Sequence, residues 1–129
     1  TLITQRITKV CMDPKTAVLC YQFAEKAKSE LIISSQLCIA LSGFPEQERA
    51  GGKRMLIHLL EAVRNELRFA YTSTNVSEFN RAINAIGEAI SLVESGQPEN
   101  ASQRIASAIT ASTTPAQNAW QVLNEHGLL

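Results

Sequence analysis

An excess of charge of either sign is missing from this chain: twelve Lys and Arg residues balance twelve Asp and Glu residues, for a net charge of zero. A protein that lives on nucleic acid or on an anionic membrane usually carries a basic excess, so the balance speaks against both partners. Aromatic residues amount to only 5%, which leaves no stacking platform for single-stranded nucleic acid. The cysteines, Cys11, Cys20 and Cys38, are an odd set with no CxxC pair. A reduced, cytoplasmic protein fits that set better than a secreted one. No apolar run reaches the roughly 20 residues needed to span a membrane, and no signal-peptide pattern is visible.

What is present suits a packed domain. A chain of 129 residues is expected to form one domain and to hide roughly two-thirds of its surface on folding. Hydrophobic residues make up 45%, which excludes disorder, while 19% charged residues is slightly low for a soluble monomer and hints at surface covered by a partner.

The pattern is helical throughout. Lys53 to Tyr71 reads as a central amphipathic helix (53–72), because Met55, Leu56, Leu59, Leu60, Ala62, Val63, Leu67 and Ala70 fall on one side, with Phe69 at the margin. That arc covers roughly half the circumference, so two neighbours are needed to cover it. Asp13-Pro14 starts a long helix over 13–42, stopped by Ser42-Gly43 and Pro45. Its inner face carries Leu19, Phe23, Ala27, Leu31, Ser34, Cys38 and Leu41. Gly51-Gly52 predicts a kink or a late start for the next helix. Asn75 and Glu78 have capping-box spacing and open a helix over 76–95, closed by a left-handed Gly96. Pro98 begins a helix over 98–111, and Thr114-Pro115 a short one over 115–126, with Trp120 plugging one end of the core. Residues 1–12 read as an N-terminal arm or short helix. The expected fold is an all-α, mostly antiparallel bundle of about four main helices plus short terminal ones. Ala85, Ala89 and Leu92 followed by Gly96, Ala101, Ile105 and Ala108 resemble the spacing of one tetratricopeptide-like hairpin, which implies no more than close packing of that helix pair.

Several residues stand out as candidates for function. Tyr21, Ile32 and Ile39 form a second apolar stripe on the 13–42 helix, outside its core face. Such a stripe is covered either by other helices or by another subunit, and a self-associating, non-catalytic interaction module is the preferred reading. Lys53, Arg54, Arg64 and Arg68 give the central helix a basic side, the basis of an alternative as a nucleic-acid-binding protein, although Glu61 interrupts it and is spaced to pair with Arg64. Glu30 and Glu66 sit at core-facing angles on neighbouring helices, where they would meet each other or find basic partners. A small-ligand or metal-binding bundle is the third reading. It lacks the Glu-x-x-His pattern, since Ile33 and Phe69 stand three positions beyond these acids. His58 and His126 are the only histidines, and neither has a nucleophile in an identifiable arrangement. No cofactor, metal or enzymatic activity is expected.

Overall fold

The computed structural model describes residues 12–129. The arm expected at the N-terminus lies, apart from Met12, outside the described residues. Four helices follow one another: α1 (Pro14–Ser42), α2 (Glu46–Thr74), α3 (Ser77–Glu94) and α4 (Pro98–Glu125). Short connections force successive helices to run antiparallel, and they close into a ring in which α1 meets α2, α2 meets α3, α3 meets α4, and α4 returns to α1. The all-α bundle read from the sequence is the fold.

Local chemistry explains most of the helix ends. The Asp13 side chain accepts from the Thr16 amide at 2.6 Å, and Pro14 occupies the first turn, where its missing N–H costs nothing. Gly96 adopts φ 78°, and the amides of Gly96 and Gln97 bond back to Val93 and Leu92, closing α3.

Three boundaries differ from those expected. First, α2 starts early, at Glu46, and continues as one helix through Gly51-Gly52. Pro45 precedes it, and Glu46 and Glu48 place negative charge in the first turn, where the helix dipole favours it. Gly52 is there for space, because a Cβ at that position would lie 2.7 Å from the Phe44 ring and 2.9 Å from Leu41. Second, Asn75 does not cap α3. It terminates α2 in the left-handed conformation, φ 57°, which Asn tolerates better than most residues, and Val76 takes the cap position of α3. Third, the two C-terminal helices are one. Pro115 sits inside α4, fully buried, in a stretch where Ser112, Ala116 and Ala119 are also buried. Tertiary packing holds the helix together across a proline that local propensity would have broken.

The centre of the molecule also lies elsewhere than expected. The tightest and longest helix pair is α1 with α4, not a pair involving α2. Ala17, Cys20, Ala24 and Ala27 on α1 are buried, as are Ala101, Ala108, Ser112, Ala116 and Ala119 on α4, and such small side chains let two backbones approach closely. Leu19 and Phe23 end at the margin of this face. Helix α2 contributes Leu56, Leu60, Val63 and Leu67 to the core, but one side of its apolar arc is bare: Met55 and Phe69 are 73% and 71% exposed, and Ala62 is exposed. Trp120 does not plug the core. It is 47% exposed on the outside of α4.

Candidate functional site

The outer side of the C-terminal half of α1 is the most apolar exposed surface of the helix. From Leu31 to Pro45 there is no charged residue. Within that stretch Ile32, Ile33, Leu37 and Ile39 are 47%, 52%, 43% and 59% exposed. At about 100° per residue they divide into two flanks. Ile32 and Ile39 lie with Tyr21 on the flank towards α4, whereas Ile33 and Leu37 lie on the flank that carries Lys26 and Glu30. Tyr21 is less open than its stripe suggests: it packs partly against the core and lines a groove of about 480 Å³ with Glu25, Lys28, Gln117 and Trp120. On α2, Met55, Ala62 and Phe69 follow one another at seven-residue spacing within about 40°, on the flank that carries Glu66. The sequence marks Ile32 and Ile39 as part of a second apolar stripe, but places Met55, Ala62 and Phe69 within or at the margin of the core-facing arc of α2. Periodicity places these residues on one face without telling whether a neighbour covers it.

Glu30 and Glu66 are neighbours across the α1–α2 seam. The Lys26 Nζ donates to Glu66 Oε1 at 2.9 Å, bridging α1 and α2. Glu30 lies one turn further along α1, half-buried, with Oε1 shut off from solvent and unpartnered among the described residues. Burial foremost, and then the neighbouring carboxylate of Glu66, push Glu30 up to about 7, against a smaller downward pull from Lys26. The outcome is an acid pair with a single cation. No group of three or more His, Cys, Asp or Glu residues is placed to hold a metal ion among the described residues.

The four basic residues of α2 share one side of the helix by angle, but their surroundings differ. Arg54 and Arg68 point outward, and Arg68 Nη1 donates to Asn65 at 3.2 Å. Arg64 turns towards α3, where its Nη1 would lie 3.8 Å from a Cβ at Gly87, and it makes no ion pair with Glu61 among the described residues. Lys53 lines a separate groove of about 350 Å³ at the end of the bundle, together with Leu41, Arg49, Val93, Pro98 and Asn100. Arg49 is already engaged there, its Nε donating to the Phe44 carbonyl at 2.9 Å.

The remaining candidates are structural. Cys20 and Cys38 are buried free thiols; burial raises both, Cys38 to about 11, which keeps them protonated and unreactive. His58 is exposed, and His126 Nδ1 lies 2.8 Å from the Val122 carbonyl at the end of α4. No described helix is long and apolar enough to cross a membrane. Compared with family models, with curated proteins and with solved structures, the chain matches none of them.

Proposed function

We propose that this chain is a non-catalytic assembly module that associates with further copies of itself through the outer face of α1. The observation that carries this reading is the uncharged stretch from Leu31 to Pro45, with four large aliphatic side chains left open on it. Taking ~200 Å² for a large side chain, these four expose on the order of 400 Å² of apolar surface on α1. That is about half of what a standard interface takes from each partner, about 800 Å², and within the size range of surface patches that often serve a function. Zero net charge opposes association of identical chains less than a strong charge would. A reducing, cytoplasmic setting goes with the free thiols of Cys20 and Cys38.

Light scattering across a concentration series tests the proposal. The expected result is a mass at a fixed multiple of 14.1 kDa. Ile32→Lys or Ile39→Lys is expected to return the protein to monomer with its helical circular dichroism unchanged. A wild-type monomer at every concentration would refute the reading.

A further inference from the structure

On the seam between α1 and α2, two carboxylates meet with one positive charge too few to pair both. Lys26 is engaged with Glu66 at 2.9 Å. Glu30 has an oxygen out of reach of solvent and of any described donor. The charged groups that act on Glu30 are Glu66 from α2 and Lys26 from its own helix. Helix α4 packs against the other flank of α1, where Glu25 and Lys28 pair with each other at 3.4 Å. An ionised Glu30 would therefore face the like charge of Glu66 with one oxygen unsatisfied. A protonated Glu30 can instead donate to Glu66, and the cluster of protonated Glu30, Glu66 carboxylate and Lys26 ammonium is neutral.

The geometry points to one proton resident between Glu30 and Glu66, which closes α1 against α2 while it is held and loosens that seam when it is lost to solvent. Losing it leaves two carboxylates and one ammonium, a net negative charge in a half-buried cleft. The direction of the shift at Glu30 agrees, since burial and Glu66 together place its ionisation near neutral pH. The device does not depend on self-association, because both acids and the lysine belong to the same chain.

A carbon-detected NMR titration of the glutamate side chains tests it. Glu30 is expected to titrate at about 7, and a midpoint below about 5, the ordinary range of a glutamate, overturns the resident proton. Glu66→Gln removes the neighbouring charge and is expected to move the midpoint down by about one unit, whereas Lys26→Met moves it up. A midpoint unmoved by Glu66→Gln overturns the sharing. Loosening is read from amide exchange along the seam, corrected for intrinsic rates: protection is expected to fall about tenfold as Glu30 ionises and to stay level in Glu30→Gln. Protection that stays level through the wild-type titration overturns the link between proton and packing.

Discussion

Gly51 and Gly52 stand side by side in α2 yet answer to different physics. A Cβ at Gly51 would meet nothing within 4 Å, so the residue carries only the entropic cost of glycine in a helix. Gly51→Ala is expected to stabilise the fold by about 0.5–1 kcal/mol in urea denaturation. At Gly52 the new methyl would push into Phe44 and Leu41, and Gly52→Ala is expected to cost roughly 1 kcal/mol instead. Ionisable residues give a second contrast. Glu30 holds its proton more tightly in the folded protein than unfolded, so its stabilising contribution is complete below the ordinary value of 4.5 and is lost as pH rises to about 7. Asp13 works in the opposite sense: the Thr16 amide holds it below 3.8, so its contribution is present above that value and fades as pH falls. Thermal midpoints are expected to decline from pH 5 to pH 8, and the decline to shrink in Glu30→Gln.

At the scale of the helices, legibility followed how local the cause was. Asp13-Pro14, Gly96 and Pro98 act on their own turns, and the sequence announced all three ends. Gly52, Asn75 and Pro115 take their meaning from what packs beside them, and each was read as punctuation where the structure uses it otherwise. The same limit applied to the candidate site. The angular positions of Glu30 and Glu66 placed both towards a neighbouring helix and left open whether each would find the other or a basic partner; Glu66 pairs with Lys26. Which margin of the α2 arc stays bare depends on how far α1 reaches round it, and no periodicity contains that distance. The small-residue seam between α1 and α4 makes a clear expectation. Ala24→Leu or Ala108→Leu is expected to destabilise by roughly 1–3 kcal/mol or to prevent folding, because each alanine is fully buried. Ala62→Leu, on the exposed side of α2, is expected to stay within about 0.5 kcal/mol.

For the molecule as a whole, the two apolar flanks of α1 can be told apart. Ile39 lies on the flank of α1 towards α4, and Phe69 lies exposed on α2 on the side of its seam with α1, so Ile39→Lys and Phe69→Lys separate two modes of association. Ile39→Lys is expected to lower the solution mass and Phe69→Lys to leave it unchanged, and both are expected to keep the monomer folded since both side chains are more than half exposed. The ring of helices has one more consequence, for the order in which the chain is made. Its tightest contact joins the first described helix to the fourth, so a ribosome releases the uncharged Leu31–Pro45 stretch long before α4 exists to cover the inner side of α1. During that interval the side of the segment that α4 will cover is open together with its outer side, with no charge to discourage contact with other nascent chains. Translation truncated before Pro98 is therefore expected to yield aggregate rather than a smaller bundle.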